Sequence, residues 1–185
     1  MKLLLAAVML ASALGAAAAP AARKAKMDNP GKRAVDESFE ILAPAGWSVD
    51  RKADGFLLGG PSADGVPARI IVRWVRPDHA LYTTPEAYMA RLSRPTAIPM
   101  RGWKNGAVEG VTAAGRKALR LERDTTDFVP PESMAPKEVK IREEHVAVPA
   151  AKGFYLIVYS APLSLDAALR PLFRRMVEKS FKPRF

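Results

Sequence analysis

The sequence predicts one α/β domain rich in short strands, and three observations carry that expectation. Apolar or alternating segments recur between turns containing Gly and Pro, Thr84-Pro85-Glu86 marks the start of a helix, and an amphipathic stretch runs from Leu169 to Val177 near the end of the chain. The 185 residues, less a leader of about 20, leave enough chain to bury on the order of 70% of its unfolded surface in one core.

The leader comes first. Lys2 gives a positive start, and Leu3 to Leu14 form an apolar stretch broken only by Ser12. Such a helix covers about 18 Å, short of a hydrocarbon core of about 30 Å. Gly15 and Ala16 to Ala19 supply the small residues of a cleavage site. Residues 1–22 are expected to be a signal peptide, cut after Ala18 or as late as Ala22, because Pro20 disfavours scission just before it. The protein is then expected to be periplasmic or secreted, with no transmembrane helix in the processed form. The sequence holds no cysteine, which leaves no residue for a disulfide, a thiolate metal site or lipoprotein acylation. Its Ala-, Arg- and Pro-rich composition suggests a bacterial periplasm.

The formal net charge is +10, from 29 basic and 19 acidic residues; the leader carries one Lys and no acid, so the rest stands at 28 against 19, or +9. This excess favours anionic partners without naming one. Residues 23–36 hold Arg23, Lys24, Lys26, Lys32 and Arg33 around Pro30-Gly31, with no apolar period, and are expected to be a flexible basic tail before a domain at 37–185.

Within that domain, Phe39 to Ala43 alternates as a strand and stops at Pro44, with a turn through Gly46 into Trp47. Phe56–Leu58 and Arg69–Val75 are two further strands, with Ile70, Val72 and Trp74 on one face, separated by turn-rich residues 59–65. Thr84 caps a helix from Pro85 to Leu92 or Ser93, with Pro where no donor is missed and Glu86 near the positive end. Residues 101–106 read as a loop. Ala107–Thr112, Gly115–Arg123, Val139–Val148 and Gly153–Ala161 read as strands, the last two joined as a hairpin about Pro149 to Lys152. Phe154 to Tyr159 is continuously apolar, which suits a central strand covered on both faces. Leu169, Leu172, Phe173, Met176 and Val177 then recur at helical spacing.

The run Phe39 to Trp47 ending in Pro44-Ala45-Gly46-Trp47, Thr84-Pro85-Glu86 with Tyr88, Gly115 with Ala118, Gly153-Phe154-Tyr155, and the closing Ser180-Phe181 together resemble the PsbP-like superfamily. Its namesake is an extrinsic photosystem subunit, and it includes bacterial exported domains and a Ran-binding nuclear-import factor. The likeness spans about Phe39 to Phe181. It implies an α/β/α sandwich around a central, mainly antiparallel sheet with a C-terminal helix, serving as a non-catalytic accessory or binding domain. It carries no catalytic residues across.

The residues themselves show no catalytic signature. No Gly-x-Ser-x-Gly elbow occurs, and neither Gly59-Gly60-Pro61-Ser62 nor Gly115-Arg116-Lys117 has the spacing of a phosphate loop, so both read as turns. His79 and His145, with no cysteine, fall short of a structural zinc site. Glu143, Glu144 and His145 read as a solvated strand end, since consecutive strand residues point to opposite faces. Trp47 and Trp74 read as core residues. No cofactor, metal or nucleic acid is expected. The partner expected is an envelope protein or an anionic surface, met by the basic side of the last helix, Arg170, Arg174, Arg175 and Lys179, and by the loop Arg101, Trp103 and Lys104. The competing expectation is a small periplasmic hydrolase with a site assembled from distant residues.

Overall fold

A computed structural model describes residues 31–95 and 101–185; the expected signal peptide, 1–22, and the start of the basic tail lie outside the described residues. In chain order the elements are β1 (Arg33–Val35), β2 (Phe39–Leu42), β3 (Ser48–Lys52), β4 (Gly55–Ala63), β5 (Val66–Val75), α1 (Pro85–Ser93), β6 (Lys104–Ala113), β7 (Arg116–Val129), β8 (Lys137–Pro149), β9 (Phe154–Pro162), α2 (Leu163–Arg175), a π-helical turn (Met176–Ser180) and β10 (Lys182–Pro183). Seven strands form an antiparallel sheet in the order β3-β4-β5-β9-β8-β7-β6, and β1-β2-β10 form a small second sheet.

Side chains that alternate along the central strand β9 divide this sheet into two faces. Tyr155, Ile157 and Tyr159 face α2 and the small sheet: the ring of Tyr159 stacks on Phe173 at 5.2 Å, and Tyr155 meets Phe39 and Phe181 edge-on. Phe154 and Leu156 face α1, where the ring of Tyr88 lies 6.1 Å from that of Phe154. The result is the expected α/β/α sandwich, with the small sheet as an addition. β9 is its middle strand, buried on both faces as its apolar run requires. Among the described residues no helix is long and apolar enough to cross a membrane.

α1 has the expected bounds because its start is local chemistry. The Thr84 hydroxyl accepts from the amide of Ala87 at 3.1 Å, and Pro85 takes the first turn. The apolar stripe of the last helix is buried at Leu169, Phe173, Met176 and Val177, with Leu172 half-buried.

Three expectations are corrected. The basic tail does not extend to residue 36: Arg33–Val35 pairs with β2, the Ala43 amide donates to the Lys32 carbonyl, and Ala34 is buried. Gly31 permits this entry, since a Cβ there would fall 1.6 Å from the Ala43 carbonyl oxygen. Residues 59–63 continue β4 rather than turning; a bulge between Gly59 and Ser62 accommodates Pro61, and Gly60 leaves room for the Trp47 indole. The loop read at 101–106 is strand from Lys104 onward. β3 was not expected, because its charged sequence shows no apolar alternation.

Candidate functional site

Glu143, Glu144 and His145 are not a solvated strand end. They lie mid-strand in β8, where both faces of the sheet are covered, and Glu144 and His145 are buried. The two faces therefore carry two separate polar clusters.

On the α2 face, Arg174 Nε donates to both Glu144 oxygens at 3.0–3.1 Å, and its other arm reaches Glu122 at 2.6 Å. Arg170 pairs with Glu122 at 3.2 Å and Asp166 at 3.0 Å; Arg142 pairs with Asp124 and Glu122; Arg120 pairs with Glu109 at 2.5 Å. Four guanidinium groups meet five carboxylates, so the cluster is near neutral. Burial pushes the Glu144 carboxyl above its ordinary range, against the hydrogen bonds of Arg174, and those bonds hold the Arg174 guanidinium firmly protonated. Arg170 and Arg174 were expected on a free basic face. They instead tie α2 to the sheet, because carboxylates of β7 and β8 stand within reach of their long side chains.

On the α1 face, the Tyr88 hydroxyl meets His145 Nδ1 at 2.8 Å and His145 Nε2 meets Glu143 at 3.2 Å; Arg123 completes the chain by pairing with Glu143. Burial pushes the Tyr88 phenol far up and the His145 imidazolium down. Burial works against ionisation of Glu143 too, but hydrogen bonds from His145 and Arg123 hold its carboxyl below the ordinary value. Tyr88 thus donates to neutral His145, which donates to ionised Glu143. Tyr88 and His145 are both buried, and the relay between them seats α1 on the sheet. Among the described residues no group of three or more metal-binding side chains is placed to hold an ion.

The remaining expected residues separate. Trp103 is half-covered by the Arg123 guanidinium at 4.8 Å on the α1 side, and Arg101 pairs with Glu138 at 2.8 Å. Lys104 is exposed at the start of β6. Arg175 and Lys179 lie elsewhere, exposed and without an ion pair among the described residues. They rim a groove of about 230 Å³ between the β2–β3 connection and the π-helical turn, lined by Leu42, Ala43, Pro44, Ala45, Leu172 and Met176. No carboxylate lines it. The turn is held in place by Ser180, whose hydroxyl donates to the Met176 carbonyl at 2.9 Å and lies 3.3 Å from that of Leu42. Sequence reasoning placed the two cations but missed the apolar wall, whose residues come from both ends of the domain.

No protein-family model matches the sequence, and no curated protein matches it. Solved structures do. Cyanobacterial PsbP (CyanoP) from Synechocystis sp. PCC 6803 superposes with a TM-score of 0.51 over 82% of this chain and 91% of that one, at 13% identity. The fold is PsbP-like. A Bacteroides thetaiotaomicron protein aligns with a TM-score of 0.54 and 8% identity, over 85% of this chain and 50% of that one, so the PsbP-like chain spans about half the length of that protein. LpqN of Mycobacterium tuberculosis, described as involved in cell envelope biogenesis, superposes more loosely, at TM-score 0.48 and 12% identity over 84% of this chain and 86% of that one. At such identities the likeness is one of fold.

Proposed function

We propose that this PsbP-like chain is an exported, non-catalytic accessory domain of the cell envelope that binds an anionic lipid surface through the groove rimmed by Arg175 and Lys179. The single observation behind this reading is the pairing of an apolar groove with two cations that no neighbouring carboxylate neutralises. The other basic residues of the last helix are already engaged by the protein's own acids, whereas these two remain available to a headgroup while the groove receives apolar atoms. Export rests on the leader-like residues 1–22.

Each cation close to an anionic bilayer contributes about 1 kcal/mol at low salt, so the pair is worth roughly 2 kcal/mol, about thirtyfold in binding. Sedimentation with phosphatidylglycerol vesicles should carry down the protein at low salt, and phosphatidylcholine vesicles should not. Arg175→Glu/Lys179→Glu should abolish the difference, whereas Arg101→Ala, in a residue already paired with Glu138, should leave it unchanged. Equal binding to both lipids, or binding indifferent to the double reversal, refutes the reading.

A further inference from the structure

The seven-stranded sheet has two edges, and they are guarded unequally. β3 is five residues long and carries Asp50, Arg51 and Lys52, the charges and shortness that keep an edge from pairing. β6 is ten residues long and contains no proline, and residues 106–110 are all exposed. A bulge interrupts its pairing with β7 between Asn105 and Val108, after which the register is regular to Ala113. Its only acid, Glu109, is neutralised by Arg120, and its outer row of amides and carbonyls meets no strand among the described residues. Gly110 leaves the backbone open, since a Cβ there would meet nothing within 4 Å.

Two concavities reach this edge at the same place, one on each face of the sheet. On the α1 face, Leu119, Pro149 and Gly110 help to form, with Glu86 and Lys117 at its border, a depression of about 600 Å³. On the α2 face, Val111, Phe173 and Val177 help to form the apolar part of one of about 350 Å³, which Arg120, Glu144, Arg174 and Glu178 also line. Successive residues of an added strand point to opposite faces, so two adjacent side chains of such a strand would enter the two depressions. The ends of the edge are positive. Lys104 begins β6, and Lys117 stands opposite Thr112; both are exposed and without an ion pair among the described residues.

We propose that β6 is a docking edge that adds, as an eighth strand, an extended segment of another protein carrying two adjacent apolar side chains between acidic residues. A second copy of this chain is the poorer occupant. Its β6 would offer no apolar side chain larger than Val to the depressions, and a strip about 20 Å long buries far less than the roughly 800 Å² per partner of a stable dimer. The proposal is independent of the lipid groove, which lies beside the π-helical turn.

The test uses a blocked nine-residue peptide, Glu-Ser-Thr-Val-Phe-Val-Thr-Ser-Glu, which reads the same in both directions and so suits either strand polarity. In titrations followed by hydrogen exchange, the peptide should bind and slow exchange of the amides from Ala107 to Val111. Of two versions N-methylated at alternate residues, one should lose at least tenfold in affinity, because only one row of peptide amides faces the edge. Gly110→Lys, placed in open space, should fold normally and also lose at least tenfold. No binding at millimolar peptide, equal binding by both methylated versions, or an unaffected Gly110→Lys protein overturns the proposal. A dimer that Gly110→Lys dissociates overturns it in favour of self-pairing.

Discussion

His145 sits between two partners that its neutral form satisfies together. Its Nε2–H donates to Glu143 while Nδ1 accepts from Tyr88, and the Arg123 guanidinium beyond Glu143 further disfavours a second positive charge. Tyr88→Phe would leave a buried ring nitrogen without a donor, and should cost about 1–3 kcal/mol in denaturant titration. A near-zero change would mean that the relay does not seat α1. The same geometry sets a pH dependence. Burial lowers the folded-state value of His145 below the ordinary 6.5, so below that pH the unfolded chain takes up a proton that the folded chain refuses. Stability should therefore fall as the pH drops below about 6.5. Glu144, raised by burial, acts in the opposite sense, so the decisive comparison is with His145→Gln. That variant should lose the histidine part of the slope, and an unchanged slope would contradict the assignment.

At the scale of elements, α2 is held by two different kinds of contact, and each can be removed separately. Phe173 is buried against Tyr159, so Phe173→Ala should cost about 3–5 kcal/mol, whereas half-buried Leu172 should cost less. Arg174→Ala leaves the buried Glu144 with Arg120 at 3.9 Å, and should cost about 1–3 kcal/mol in the same titration. Equal losses at Phe173 and Leu172 would mean that the helix is rotated from its assigned face. What was legible beforehand follows the range of the interactions. α1 was readable to its ends because its cap and its proline act within four residues. β9 was readable because an unbroken apolar run needs cover on both faces. β1 was not, since Arg33–Val35 becomes a strand only through pairing with β2. Nor was the engagement of Arg170 and Arg174. A helical wheel shows which side of α2 they occupy, but not that β7 and β8 carry carboxylates to that side. For the groove, the cations were legible and the hollow was not, because Leu42 and Met176 meet only in the folded chain.

Across the whole molecule the excess positive charge stays unpaired at several exposed residues, and at the groove beside the π-helical turn it adjoins an apolar hollow. If the leader acts as proposed, mass spectrometry of the protein from its native envelope should find it lacking its first 18 to 22 residues; intact Met1 in washed membranes would mean an anchored protein instead. The central claim is that the groove beside the π-helical turn receives the anionic lipid, and Met176 in its wall reports on this directly. The methionine methyl resonances should be followed while short-chain phosphatidylglycerol is added below its micelle concentration. Met134 is fully exposed and Met89 is buried on the inner side of α1, so both serve as internal references. The Met176 methyl should shift and saturate while those of Met134 and Met89 stay in place, and the shift should vanish with Arg175→Glu/Lys179→Glu. A Met176 resonance that does not move, or that moves equally with short-chain phosphatidylcholine, would contradict the account.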